Sequence, residues 1–342
     1  MSKITTVGMD LAKNVFHVVC CDARGKMLRK RMLRRGQVLA YFAKLERVLV
    51  GMEACAGAHY WARELEALGH EVKLIPPQYV KPYVRGNKHD YNDALAIAEA
   101  VVRPEMRFVP VKTPEQQDIQ ALQRLRERCI ADRTALSNQI RGLLGEYGIV
   151  LPQGVHTLRR RLPLILEDAE NGLSDLFRRL LAESYRRLQA LESHIEFFTK
   201  ELENYSRQNE AVRRLEAIPG YGPVVAPVFY SQIGDGRAWR RGRDVSASLG
   251  VVPRQYSSGG KERLQGISKR GDGYLRSLLI HGARSVVRAA EGKDDRLSRW
   301  VNRIRAARGY NKAVVAMANK MARIGWAILR NNTEYQPDYR PV

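Results

Sequence analysis

The first 110 residues alternate short β-rich runs with helical patterns, the rhythm of an α/β domain. Residues 4–9, 15–21 and 27–33 are apolar or alternating runs separated by short turns such as 22–26. Three such strands in succession predict an antiparallel meander. A helix is expected near 37–45, a fourth strand at 47–52, a helix at 58–68 ended by Gly69, and a fifth strand at 71–75 stopped by Pro76 and Pro77. Residues 94–102 close the domain as a helix. The expected fold class here is a mixed five-stranded sheet with helices.

The period then changes. Between about 114 and 147, Leu122, Leu125, Cys129, Leu136, Ile140 and Leu143 keep three- and four-residue steps, interrupted at Asp132, which predicts an amphipathic helix. Phe177, Leu181, Ser184, Leu188, Leu191, Ile195, Phe198, Leu202 and Tyr205 alternate steps of four and three over about four heptads. That pattern predicts a coiled coil or an antiparallel helical hairpin, and heptads alone leave open whether the partner helix is in the same chain or a second copy. From Ala211 the texture turns to Gly, Pro, Ser and Arg between short helical stretches. The expected organisation is an α/β domain at 1–110, long helices with a coiled coil at 111–210, a basic and mostly helical domain at 211–330, and a tail at 331–342.

Charge narrows the partner. Lys and Arg number 58 against 36 Asp and Glu, a net charge of +22, which predicts a polyanionic ligand. Residues 236–310 hold 18 basic against 6 acidic residues, so +12 of that excess lies in one segment. No apolar run approaches the roughly 18–20 residues needed to span a bilayer, so nucleic acid is expected rather than membrane. The first ten residues lack a charged leader and an apolar stretch, so a cytoplasmic, nucleoid-associated protein is expected. Cys20, Cys21, Cys55 and Cys129 have neither zinc nor disulfide spacing and read as buried small hydrophobes.

Against that basic background four acids stand out. Asp10 ends the first strand, Glu53 ends the fourth, and Asp90 and Asp93 sit at i and i+3 at the mouth of a helix, where they share a face. Converging carboxylates raise one another's pKa, and a divalent cation removes that penalty. Hard oxygen donors indicate Mg²⁺ or Mn²⁺, and two such ions about 4 Å apart suit phosphoryl transfer. Each acid alone has a plainer explanation, as a turn former, a solvated strand end or a helix N-terminal acid. None of the seven histidines has metal spacing, and only His89, beside Asp90, is singled out for mutation.

The segments Gly8-Met9-Asp10-Leu11-Ala12-Lys13, Gly51-Met52-Glu53-Ala54-Cys55-Ala56-Gly57 and Lys88-His89-Asp90-Tyr91-Asn92-Asp93-Ala94 resemble the Asp-Glu-Asp-Asp transposases of the insertion sequence 110 family. The resemblance continues to about residue 330 and implies a ribonuclease-H-like, Holliday-junction-resolvase type N-terminal domain whose metal-binding tetrad is Asp10, Glu53, Asp90 and Asp93. It also implies a C-terminal transposase domain with a nucleophilic serine, placed on Ser258 in the run from Val252 to Lys261, with adjacent Ser257 as a competing hydroxyl. A covalent phosphoserine intermediate, an oligomer held by the coiled coil (dimer or tetramer), and a noncoding bridge RNA pairing with donor and target DNA are further implications.

A serine hydroxyl needs activation. Arg254, Lys261, Lys269 and Arg270 are candidates to stabilise phosphate charge around it. Read without the resemblance, Ser-Ser-Gly-Gly is a turn that touches DNA backbone. Ile218-Pro219-Gly220-Tyr221-Gly222-Pro223 resembles a helix-hairpin-helix turn, with Gly220 and Gly222 offering backbone N–H groups to phosphate, although Pro223 removes one donor. Arg237, Arg240, Arg241 and Arg243 flank Trp239, a mix suited to phosphate contact with stacking. Three other functions compete: a junction-resolving metal nuclease that never uses Ser258, an actin-like ATPase, and a non-catalytic nucleic-acid binder. The ATPase lacks a second Asp-x-Gly phosphate loop, and the binder leaves four acids facing phosphate without purpose.

Overall fold

The computed structural model describes residues 3–87 and 89–338, so Lys88 of the third acidic segment and the end of the tail lie outside the described residues. The chain divides into two compact units, Met1–Thr113 and Pro114–Val342.

In unit 1 the elements run β1 (Thr6–Leu11), β2 (Val15–Cys21), β3 (Met27–Arg34), α1 (Val38–Phe42), β4 (Leu49–Glu53), α2 (Ala58–Ala67), β5 (Glu71–Ile75), α3 (Pro77–Val80) and α4 (Asp90–Val101). The five strands form one sheet in the order β3-β2-β1-β4-β5. β1 to β3 pair antiparallel, while β1, β4 and β5 run parallel. This is the mixed five-stranded sheet of the ribonuclease-H-like fold.

Alternation along the strands decides which residues meet which layer. Val7, Met9, Phe16, Val18, Val50 and Met52 are buried with Val38, Phe42, Trp61 and Leu65 of α1 and α2. On the opposite face Val19 and Cys21 meet Ala94 and Ala98 of α4, and Ile75 meets Ala96 and Ile97. Gly8 and Gly51 are on that same face. A Cβ on Gly8 would overlap the Ala94 carbonyl oxygen and stand 2.6 Å from the Ala98 nitrogen, and one on Gly51 would stand 2.9 Å from Val101 Cβ. Strand glycines facing an alanine-rich helix thus let α4 lie against the backbone of β1 and β4.

Several boundaries differ from expectation. β1 runs to Leu11 rather than 9, because Asp10 and Leu11 pair with His17 and Phe16 across the hairpin. β4 covers Leu49–Glu53 rather than 47–52, and the helix expected at 37–45 is a 3₁₀ turn followed by the short α1. Of the cysteines, Cys20 and Cys21 are buried, Cys129 is half-buried and Cys55 is exposed, so the expectation of four buried thiols fails for the latter two.

Unit 2 contains α5 (Pro114–Gly145), α6 (Val155–Glu167), α7 (Asp175–Gln208), α8 (Glu210–Glu216), α9 (Val225–Ile233), α10 (Gly242–Ser248), β6 (Pro253–Gln255), β7 (Leu264–Ile267), α11 (Gly273–Ala289), α12 (Arg296–Arg308) and α13 (Tyr310–Asn331). The heptad stripe of α7 meets α5 of its own chain. Tyr205 donates to Glu115 at 2.8 Å and Arg126 to Thr199 at 2.8 Å, while Phe177, Leu181 and Leu188 cluster with Leu136, Ile140 and Leu144, an antiparallel pairing.

The stripe read on α5 needs correction. Leu125 and Leu143 are 54% and 40% exposed, and the buried seam instead passes through Ile119, Gln123, Leu136, Ser137, Ile140 and Leu144. Polar residues occupy seam positions that an apolar count skips. The Ser137 hydroxyl satisfies itself on the Arg133 carbonyl at 2.7 Å.

A second core joins α8, α9, α11 and α13 around Leu215, Phe229, Leu275, Leu279, Met317 and Met321. Among the described residues no helix is long and apolar enough to cross a membrane.

Candidate active site

The sheet register builds the acid cluster. Met9 pairs with Met52 between the parallel β1 and β4, so Asp10 and Glu53, one residue further on, emerge side by side at the same sheet end. Both share the face of Gly8 and Gly51, against which α4 packs. The first turn of α4 therefore arrives at this end, carrying Asp90 and Asp93. His89 caps that helix, its ring nitrogen accepting from the Tyr91 backbone N–H at 3.2 Å.

The electrostatics record the convergence. Burial pushes the Asp10 carboxyl up first, and the neighbouring carboxylates of Asp93 and Asp90 push it further, with His17 opposing. Glu53 is likewise raised, by burial and then by Asp10 and Asp93. Like charges held together in this way favour a bound cation. Oxygen donors of this kind suit a hard divalent cation, and of the four acids Asp10 and Asp90 have ligand atoms within 4.8 Å of one another, a distance at which Glu53 and Asp93 do not join them among the described residues.

A histidine joins the acids. His17 lies directly across the hairpin from Asp10, and its Nδ1 stands 3.4 Å from Asp90 Oδ2. Asp10, His17 and Asp90 each offer a ligand atom, and all three atoms lie within 4.8 Å of one another. The spacing of the histidines along the sequence gives no sign of it. The available signal was the hairpin register, which sets residues 10 and 17 opposite each other across a turn at 12–14.

Ser258 lies on a hairpin in unit 2. β6 and β7 pair antiparallel, and the Lys261 N–H donates to the Ser258 carbonyl at 3.1 Å across Gly259 and Gly260. Those glycines have φ of 57° and 72°, as a two-residue primed turn demands. Tyr256 N–H donates to the Arg263 carbonyl at 2.9 Å, which continues the register. One face of the ribbon thus carries Arg254, Tyr256, Ser258, Lys261 and Arg263, all exposed. The Ser257 hydroxyl falls elsewhere and accepts from the Arg263 N–H at 3.3 Å.

The root of this hairpin is clamped. Lys269 N–H donates to the Gly250 carbonyl and Ser268 N–H to that of Val252, while the Arg276 guanidinium donates to the carbonyls of Leu249 and Arg270. A Cβ on Gly271 would overlap the Ser248 carbonyl oxygen. Lys269 has a left-handed φ of 54°, and the side chains of Lys269 and Arg270 are exposed.

The other basic candidates divide. Gly220 has a packing reason, because a Cβ there would stand 2.9 Å from the Gly282 carbonyl oxygen and 2.8 Å from Met321 Cε; Gly222 has open space. Arg240 is exposed, and Arg241 stands 3.8 Å from Asp244. Trp239 packs against the second core, which is at odds with the stacking role expected of it.

Comparison with known proteins gives a concordant picture. Residues 7–149 match the family described as Transposase, and residues 212–298 match that described as Transposase IS116/IS110/IS902 family. The chain is 47% identical to the Probable family 20 transposase of Pseudomonas aeruginosa over 98% of its own length and 99% of the relative's. It is 45% identical to the Transposase for insertion sequence element IS1111A of Coxiella burnetii, covering 98% and 92%, and 40% identical to that for IS1328 of Yersinia enterocolitica, covering 98% and 99%.

Proposed function

The chain belongs to the IS110 family of transposases, DNA phosphoryl-transfer enzymes, and from that premise we propose that it exchanges strands of a mobile element through a serine–phosphate intermediate. The observation that carries this reading is the convergence of Asp10, Glu53, Asp90 and Asp93 at one sheet end, in a chain whose net charge is +22. Acids so placed repel a DNA backbone unless a cation lies between.

The four carboxylates hold Mg²⁺ or Mn²⁺ in this reading. A cation held there would neutralise phosphate oxygens and favour the deprotonated form of an attacking hydroxyl. Ser258 Oγ attacks phosphorus. The Oγ–P bond forms as the bond to a deoxyribose oxygen breaks, and the proton lost by serine is balanced by the one gained at the leaving hydroxyl. A hydroxyl of the incoming strand reverses the step on a new partner, so no phosphodiester bond is lost overall. Arg254, Lys261 and Arg263, on the ribbon face of Ser258, hold the phosphate, with Lys269 and Arg270 at its root. The engagement of the Ser257 hydroxyl with the Arg263 N–H favours Ser258 as the nucleophile.

Donor and target DNA are the substrates. The segment 236–310, with 18 basic against 6 acidic residues, also offers surface for a noncoding bridge RNA that selects them by pairing. Gly222, Arg240 and Arg241 contribute phosphate contacts, and Gly220 shapes the turn that presents them. The family resemblance, rather than the arrangement of the two units, is what suggests that one copy's serine serves another's acids in an oligomer.

The test is to express the full chain with its native flanking DNA, sequence the RNA that copurifies, and incubate the complex with labelled donor and target DNA. A covalent protein–DNA adduct is expected on a denaturing gel, absent from Ser258→Ala and Asp10→Asn and present in Ser257→Ala. An adduct that survives Ser258→Ala and disappears in Ser257→Ala overturns the assignment. Recovery of random cellular RNA removes the guide RNA from the proposal.

A further inference from the structure

We infer that His17 is a nitrogen ligand of the cation site and biases one position of it toward Mn²⁺ over Mg²⁺. The inference rests on reading the acids as a cation site and adds a residue and a metal preference to it.

Placement comes first. Asp10 is central, with Glu53 beside it across the parallel pair and His17 opposite it across the antiparallel one. The acids divide accordingly. Glu53 feels Asp10 and Asp93, whereas His17 approaches Asp90 at 3.4 Å. On the His17 side an imidazole nitrogen thus joins the Asp10 and Asp90 oxygens.

Distances agree with a shared ion. Donors at about 2.1 Å in octahedral geometry stand about 3.0 to 4.2 Å apart, and those of Asp10, His17 and Asp90 lie within 4.8 Å of one another, so small side-chain movements close the set. The ring is already oriented. Tyr91 meets it edge-on, with centroids 4.8 Å apart and planes at 83°, and Tyr91 is flanked in turn by the His89 ring and the Lys30 ammonium. The His17 side chain is 14% exposed against 58% for Asp90, so the imidazole forms the wall and the carboxylate the mouth.

Selectivity follows from donor chemistry. Mg²⁺ retains water and prefers oxygen, whereas a transition ion gains from imidazole nitrogen. A purely carboxylate set discriminates less between Mg²⁺ and Mn²⁺.

The experiment uses the metal-free full chain titrated with Mn²⁺ and followed by electron paramagnetic resonance, with electron spin echo modulation to detect ¹⁴N bound directly to the ion. Wild type is expected to bind Mn²⁺ with nitrogen modulation, and Asp10→Asn to lose the binding. His17→Gln, checked for folding by circular dichroism, is expected to keep bound Mn²⁺ but lose the nitrogen signal, with Mn²⁺-over-Mg²⁺ preference reduced about tenfold. His89→Gln is expected to keep the signal. Should His17→Gln fail to fold, ¹⁵N-histidine labelling of wild type and of His89→Gln supplies the readout, a ¹⁴N-to-¹⁵N change in both supporting the inference. Asp10-dependent Mn²⁺ binding without nitrogen modulation, or modulation that persists in His17→Gln, overturns the role of His17 and leaves the acid site standing. Absence of any Asp10-dependent binding overturns the acid site itself.

Discussion

At the acid cluster the backbone is enclosed on both faces of a sheet, whereas at Ser258 it is enclosed on neither. β1 and β4 have α1 and α2 on one side and α4 on the other, and the residues before Asp10 and Glu53, Met9 and Met52, are fully buried. β6 and β7 form a two-stranded ribbon exposed from residue 253 to 266, with Tyr256 69% exposed. An isolated ribbon of this kind is marginal in water, so its order depends on its clamped root. The contrast suits the two tasks. In the proposed roles, cation ligands must be preorganised to within fractions of an ångström, while a serine nucleophile entering a nucleic-acid complex would be free to take its final position there.

Gly8→Val tests the enclosed side most severely. A side chain there meets the Ala94 carbonyl and the Ala98 nitrogen, both helix backbone, so α4 must lift off the sheet. Destabilisation of about 3 kcal/mol or more is expected, with loss of the native circular dichroism of unit 1 at a lower temperature. Gly266→Val, on the exposed ribbon with open space around it, is the control and should leave the melting temperature unchanged. Equal tolerance of both substitutions would break the comparison.

Gly271→Val separates the ribbon's root from its tip. The new side chain collides with the Ser248 backbone and is strained at a φ of 70°, so a loss of about 2 kcal/mol in unit 2 is expected from clash and strain together. Strand-exchange activity should fall although Ser258 is untouched. Normal activity at a lower melting temperature would mean that the root does not position the tip.

The same contrast explains how much was legible beforehand. Strands around Asp10 and Glu53 alternate or run apolar because they are buried, and burial writes a period into the sequence. Asp90 and Asp93 were found through helical spacing. The approach of His17 to Asp10 leaves no such signal, because it is set by hairpin register, which no single-residue spacing reveals. The α5 seam was misread at Leu125 and Leu143 because Gln123 and Ser137 take buried positions there. Ser258, on a ribbon buried on neither face, has no periodic signal at all and was reached only through family resemblance.

Asp10→Asn asks what the enclosed acids cost the fold. The folded state raises the Asp10 pKa above its ordinary 3.8, so it binds the proton more tightly than the unfolded chain does. Ionised Asp10 therefore destabilises the fold above the raised pKa, and the penalty disappears as pH falls below 3.8. In chelator at neutral pH the variant should melt about 1–3 °C higher than wild type, and the two should converge in acid. Added Mn²⁺ stabilises wild type by mass action and not the variant, which reverses the order. A variant that melts lower in chelator would show that the carboxylate contributes packing or hydrogen bonding that outweighs repulsion.

Ser257→Ala probes the exposed side, where the smallest effect is expected. The hydroxyl accepts one 3.3 Å hydrogen bond from the Arg263 N–H, and both residues face water. Water replaces a lost partner on an exposed ribbon, so stability should change by no more than about 0.5 kcal/mol. The cross-strand pair of Tyr256 and Arg263 and the Ser258 turn keep their backbone bonds, so adduct formation should persist with at most a modest change in rate. Thermal melting and single-turnover adduct kinetics check the two halves separately. A rate loss approaching that of Ser258→Ala, without a change in melting temperature, would mean that the Ser257 hydroxyl leaves Arg263 when DNA binds and takes part at the phosphate, so that the ribbon presents two hydroxyls rather than one.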